Sequence, residues 1–226
     1  MKEKNISLKK SVFLSLSLFF LFIHLYSQRN FKEFNLIGIS GGLNMYNIST
    51  KNFKTKQGNS FMGGFQVRGN VYNNFDMLYG ISFYNQMVSI ALKENAGDFN
   101  NLFVEFNQQA VQVSILAGYK VIREHLSIEF GPVLNVNGKL KRRNSQYENY
   151  IIDGYTQLTP KDIEKVSPLN FHLAAGITAG FRNFRVFGQY QYGVTNALGA
   201  LNGKSPEIKD FKGNSKLLVF GVTGYF

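Results

Sequence analysis

From residue 36 onward the chain alternates apolar and polar positions with a period of two, in one stretch after another. That period puts successive side chains on opposite faces of an extended strand and predicts β-structure rather than helix. Eight stretches can be traced, most near the ~10 residues a tilted membrane strand needs. Residues 36–46 set Ile37, Ile39, Leu43 and Met45 against Gly38, Ser40, Gly42 and Asn44. Residues 60–72 set Phe61, Phe65, Val67 and Val71 against Gln66, Arg68 and Asn70. Residues 77–90 and 106–119 repeat the pattern, with Tyr84 and Gln112 on their polar faces. In residues 126–137, Glu129 and Asn135 oppose Ile128, Phe130 and Leu134, and Pro132 argues for a bulge there or against a strand. His172 lies on the polar face of residues 170–181, and Gln189 and Gln191 on that of residues 185–195. The last stretch, 215–226, carries Phe220, Val222, Gly224 and Phe226 on one face.

The connections alternate in length. Those at 73–76, 120–125 and 182–184 are short, whereas those at 47–59, 91–105, 138–168 and 196–214 are long. Short turns on one side and long loops on the other are the plan of a membrane barrel. The expected fold is therefore all-β: an eight-stranded, antiparallel, up-and-down transmembrane β-barrel. Tyr72, Phe75, Tyr79, Tyr119, Phe181, Phe184 and Phe226 gather beside the short turns, as an interfacial belt requires in a chain without tryptophan.

Composition adds a destination. Lys2, Lys4, Lys9 and Lys10 precede an apolar run from Val12 to Leu25, so residues 1–27 read as a cleaved signal peptide and residues 28–226 as the barrel domain. The absence of cysteine excludes lipoprotein processing, disulfides and thiolate metal sites. Net charge is +11, of which the leader carries +3 and the mature part +8. The excess is clustered at Lys51, Lys54 and Lys56, at Lys139, Lys141, Arg142 and Arg143, and at Lys204, Lys209, Lys212 and Lys216. For an exported protein this favours outer-membrane lipid and lipopolysaccharide phosphates over nucleic acid. Phe226 and the apolar face behind it predict an assembly signal, read by barrel-assembly machinery as the last strand closes on the first.

Taken together, the Gly38-Ile-Ser-Gly41-Gly42 strand, Glu129-Phe-Gly131-Pro132, Gln189-Tyr-Gln-Tyr192-Gly193 and the terminal Gly-Tyr-Phe resemble the small outer-membrane β-barrel family of Bacteroidetes, often labelled PorT-like. The resemblance covers essentially the whole mature chain. It implies an outer-membrane location, and the even number of strands with short periplasmic turns predicts that both termini lie in the periplasm. One member of that family belongs to a gliding-associated secretion system, which implies an accessory role in protein secretion or envelope assembly, with other envelope proteins as partners.

An eight-stranded barrel is about filled by its own side chains. Gln66, Arg68, Tyr84, Gln112, Glu129, Asn135, His172, Gln189 and Gln191 are thus expected to form a hydrogen-bonded lumen plug, with Arg68 and Glu129 as its charge pair. The loop at 138–168 is the candidate external binding element, through Lys139, Lys141, Arg142, Arg143, Tyr147, Tyr150 and Tyr155. No paired histidines or clustered carboxylates suggest a metal, and no glycine loop suggests a nucleotide, so no cofactor is expected. A structural or interaction protein without enzymatic activity is the leading reading. A narrow pore, a soluble lipocalin-like barrel and a lipid enzyme using His125 or His172 are the alternatives.

Overall fold

The computed structural model describes residues 35–203, 207 and 209–226. The expected signal peptide at 1–27 and Lys204 lie outside the described residues. Eight long strands form the wall: β1 (Asn35–Thr50), β2 (Thr55–Tyr72), β3 (Phe75–Lys93), β4 (Leu102–Ile122), β5 (Leu126–Asn137), β8 (Leu169–Gly180), β9 (Phe184–Gly193) and β10 (Gly213–Tyr225). Two short strands, β6 (Lys141–Arg142) and β7 (Ile151–Ile152), belong to the connection between β5 and β8. Each long strand pairs antiparallel with its neighbours in sequence. β10 pairs with β1, Gly38 opposite Tyr225, and closes the ring. Closure leaves no open sheet edge, as a membrane wall requires.

The wall is apolar on its outer side. Ile37, Ile39, Phe61, Phe65, Tyr79, Ile81, Phe83, Ile115, Phe130, Phe171, Ile177 and Phe220 all project outward and are exposed. A water-soluble lipocalin-like barrel would turn those residues inward. The aromatic belt at the short-turn end also faces out, and Phe75 packs on Tyr119 with ring centroids 5.3 Å apart.

Two expectations about the wall are corrected. β5 runs through Pro132 without a register shift there: Pro132 pairs with Leu173 of β8, while the ladder to β4 passes from Ala117–Phe130 to Ser114–Val133. The pairing with β4 skips Gly131 and Pro132, so the missing proline N–H falls where that ladder is not continued, and Gly131 is itself pressed on β4: a Cβ there would lie 2.2 Å from the Ile115 carbonyl oxygen.

The second correction concerns strand length. β1 to β4 hold 16 to 21 residues, more than a bilayer needs. The connections expected at 47–59 and 91–105 shrink to 51–54 and 94–101. The extra turns of ladder carry an inverted polarity. In β3, Met77, Tyr79, Ile81 and Phe83 face out below, but Val88, Ile90 and Leu92 face in above. β4 does the same with Val104 and Phe106, β1 with Tyr46 and Ile48, and β10 with Leu217 and Val219. A bulge in β2 between Gln57 and Met62 falls at the same level.

That upper interior is filled by loops. Leu140, Ile152, Leu158 and Ile163 from the 138–168 connection, Leu198, Leu201 and Phe211 from the 194–212 connection, and Phe53 join the inward residues of the projecting strands in one buried cluster. β6 extends the β4 edge at Phe106–Arg142, and β7 extends β3 at Leu92–Ile152. The connection is thus held by backbone pairing as well as by apolar burial.

Candidate functional site

The lumen has two storeys. Below the apolar cap, the inward positions are polar, and their chemistry divides into a charged layer near the short turns and an amide layer above it.

The charged layer is centred on Arg68 of β2, 2 % exposed. Its Nη1 donates to Asp76 Oδ2 at 3.0 Å, its Nη2 to Glu129, and its Nε to the Tyr225 hydroxyl at 3.4 Å. Thr178 Oγ1 donates to Glu129 Oε1 at 2.6 Å. Lys120 Nζ lies 2.8 Å from Asp76 Oδ1 and donates to Asn70 Oδ1 at 3.0 Å. The chain Arg68–Glu129–Thr178 joins β2 to β8, which stand on opposite sides of the ring, so the layer crosses the whole lumen. Gly38 makes room for it: a Cβ there would meet the Tyr225 ring at 2.7 Å.

The amide layer surrounds a cavity of about 40 Å³ lined by Gln66, Tyr84, Gln112, Gln189 and Gln191 among others. Such a space holds one or two waters. Gln191 Nε2 donates to Gln112 Oε1 at 3.0 Å and to Gln189 Oε1 at 2.8 Å. His172 Nδ1 lies 3.2 Å from Gln191 Oε1, and its Nε2 lies 2.8 Å from Ser215 Oγ. A serine on a histidine is the start of a nucleophilic relay. Both residues here are 1 % exposed, and neither lines the cavity beside them. The arrangement reads as a satisfied histidine rather than a reaction centre. His125, in the turn, lies 3.0 Å from the Gly180 carbonyl oxygen and edge-on to Phe181.

Among the nine residues expected in the lumen, the structure brings Arg68 with Glu129, and Gln66, Tyr84, Gln112, Gln189 and Gln191 around one cavity, with His172 on Gln191. Asn135 stands apart and donates to Asn137 Oδ1 at 2.7 Å. Missing from that expectation were Asp76, Lys120, Thr178, Arg185, Ser215 and Tyr225. Asp76 and Lys120 fell in segments expected to be turns, but β3 begins at Phe75 and β4 runs to Ile122. Parity gave the signal: Asp76 shares it with Tyr84, Lys120 with Gln112, and Arg185 with Gln189 and Gln191.

The loop expected to be one exposed element is mostly a lid. Tyr147, Tyr150 and Tyr155 pack against the cap core, and Tyr155 donates to the Asn52 carbonyl at 2.9 Å. Arg142 is drawn in toward Glu148 and Glu164, each at 3.3 Å. Lys139, Lys141 and Arg143 remain exposed, Arg143 with Glu105 at 2.9 Å. Burial of the intervening isoleucines and leucines pulls the aromatic residues down and leaves the lysines in water. Asp153 fastens the lid to two neighbouring connections, through Lys93 at 2.9 Å, Lys54 at 3.0 Å and Asn101 at 3.0 Å. Lys93, then Lys54, hold its carboxyl down at a pKa of about 2.

The sequence-family model for the outer membrane protein β-barrel domain matches residues 26–199. The chain belongs to that family. Its place is the outer membrane. None of the curated proteins compared with it matches the sequence. Solved structures of similar outline include Neisserial surface protein A, at 10 % identity and TM-score 0.47, over 84 % of this chain and 97 % of that one. Ail, the attachment invasion locus protein of Yersinia pestis, is 15 % identical with TM-score 0.47 over 85 % and 99 %. OprG from Pseudomonas aeruginosa is 8 % identical with TM-score 0.48 over 85 % and 96 %. No described helix is long and apolar enough to cross a membrane; this outer membrane β-barrel crosses with strands.

Proposed function

We propose that this outer membrane β-barrel is a closed, non-enzymatic interaction protein that presents its folded cap to a partner protein or to lipopolysaccharide, as an accessory of protein secretion or envelope assembly. The observation that carries the reading is the filled lumen: a cross-linked charged layer at one end and a buried apolar core at the other. A barrel so filled has its groups free for recognition at the rim rather than for conduction. The buried Ser215–His172 contact supports the absence of a catalytic role. The resemblance to the PorT-like family of Bacteroidetes supports the accessory role, and the short turns at the end that holds the C-terminus support termini that face the periplasm, with barrel-assembly machinery as the partner during biogenesis.

The purified protein in planar bilayers is expected to stay silent; discrete, reproducible conductance steps would replace this reading with that of a small pore. Interaction is tested with the triple variant Lys139→Gln, Lys141→Gln and Arg143→Gln, which spares the buried residues of the lid. Crosslinked partners and lipopolysaccharide retention are expected to fall; an unchanged interactome and unchanged lipopolysaccharide retention would refute the cap's role. Orientation is read by labelling an epitope inserted at Ser145 in intact cells, where an outward cap reacts and an inward one does not.

A further inference from the structure

At the short-turn end the lumen opens into a cavity of about 70 Å³. Its wall carries Arg68, Lys120, Arg123, Arg182 and Arg185 against the carboxylates of Asp76 and Glu124. Arg68 is answered by Asp76 and Glu129, and Lys120 by Asp76 and Asn70. Arg185 is held differently. It is 3 % exposed, its Nη2 donates to the main-chain carbonyl of Glu124 at 2.7 Å, and its Nη1 is buried with no hydrogen-bond partner. Glu124 itself adopts φ 65°, a left-handed conformation that costs a residue with a side chain.

A buried guanidinium with an unmatched N–H is costly unless something anionic meets it. The surrounding wall is basic, so the protein itself offers a surplus of cations there. Guanidinium groups present a planar fork of donors matched to the oxygens of phosphate. The space is several times the ~10–15 Å³ that one water needs on the same measure, room for an ion of several atoms. We propose that this cavity binds a phosphate-class oxyanion, with Arg185 as its central ligand and Arg123 at its rim. The anion is either a free phosphate or the headgroup of a phospholipid in the adjoining leaflet. This inference stands on the turn end of the barrel and is independent of the role given to the cap.

The test uses the full mature protein purified in a phosphate-free alkyl maltoside. Inorganic phosphate is expected to raise Tm along a saturating curve, while chloride at equal ionic strength does not. Arg185→Gln, which removes the unpaired charge and so is expected to fold, should weaken that response about tenfold or more. Arg185→Lys should weaken it less, because charge is kept and the fork is lost; it also serves if the glutamine variant does not fold. In the second arm, native mass spectrometry is run after exposure to phosphatidylglycerol. One lipid retained by the wild type and lost from Arg185→Gln assigns the headgroup; no retention with an intact phosphate response assigns the free anion. A wild type that neither saturates with phosphate nor retains lipid overturns the proposal. So do Arg185 variants that respond as the wild type does.

Discussion

Removing the charge of Glu129 should cost more than removing that of Arg68. Arg68, Lys120 and Arg185 stand against Asp76 and Glu129 in the buried layer, so the five together carry +1. Glu129→Gln takes the layer to +2 and leaves Arg68 with Asp76, which Lys120 already shares. Arg68→Met takes it to neutrality and leaves Glu129 its bond from Thr178. Breaking a buried pair from one side costs on the order of 3–5 kcal/mol, and Glu129→Gln should fall in that range. Arg68→Met forfeits charged hydrogen bonds without stranding net charge and should cost about 1.5–3 kcal/mol. The double variant should cost less than the sum, by about 1 kcal/mol or more. The assay is equilibrium urea unfolding in lipid vesicles. It is followed by circular dichroism and by the mobility difference between boiled and unboiled samples, since the chain has no tryptophan. An Arg68→Met protein as unstable as Glu129→Gln, or either variant within about 0.5 kcal/mol of the wild type, would refute the charge-balance argument.

Gly38→Ala drives a methyl group into the Tyr225 ring and should destabilise the barrel by about 1–3 kcal/mol, read by the same urea curves. Ile163→Ala empties part of the cap core and should cost the cap about 2–5 kcal/mol. It should speed proteolysis of the 138–168 connection while the cold SDS mobility of the barrel is unchanged. Because the folded Asp153 carboxyl titrates at about 2 rather than at its ordinary value near 3.8, its contribution is fully present above pH 3.8 and is lost as pH falls through 2. Pepsin cleavage of the lid should therefore rise between pH 4 and pH 2, and Asp153→Asn should cleave readily throughout.

The strands of the membrane wall were legible because lipid and lumen impose opposite chemistry on alternate residues. Arg68 and Glu129 could be paired from parity alone, since inward charges in a narrow barrel have few places to go. The cap was not legible by the same rule. Val88, Ile90, Leu92, Val104 and Phe106 alternate just as cleanly, but outside the bilayer the apolar side is the inner one. Read with one fixed polarity, the pattern broke off at Ile90 and resumed at Phe106, so Leu92 and Val104 fell in an expected loop although β3 runs to Lys93 and β4 starts at Leu102. The inversion within a single strand, from Phe83 outward to Val88 inward, was the available signal. What no periodicity could supply was the lid itself, where Leu140, Ile152, Leu158 and Ile163 are spaced by tertiary contacts and follow no repeat.

The inversion of polarity along β1, β3, β4 and β10 gives insertion a direction. With the cap outward, as proposed, its core cannot assemble until the projecting ends of those strands have passed through the bilayer, because its walls are the inner faces of those ends. Once assembled, it carries exposed charges such as Lys139, Lys141 and Arg143, which oppose passage back through hydrocarbon. Its formation acts as a ratchet pawl: translocation is reversible until the lid docks and strongly resisted afterwards. In that orientation, biogenesis of this barrel would have a committed step on the far side of the membrane, driven by the hydrophobic effect in water. A variant with a loosened lid would be expected to slip during assembly even where its finished wall is sound.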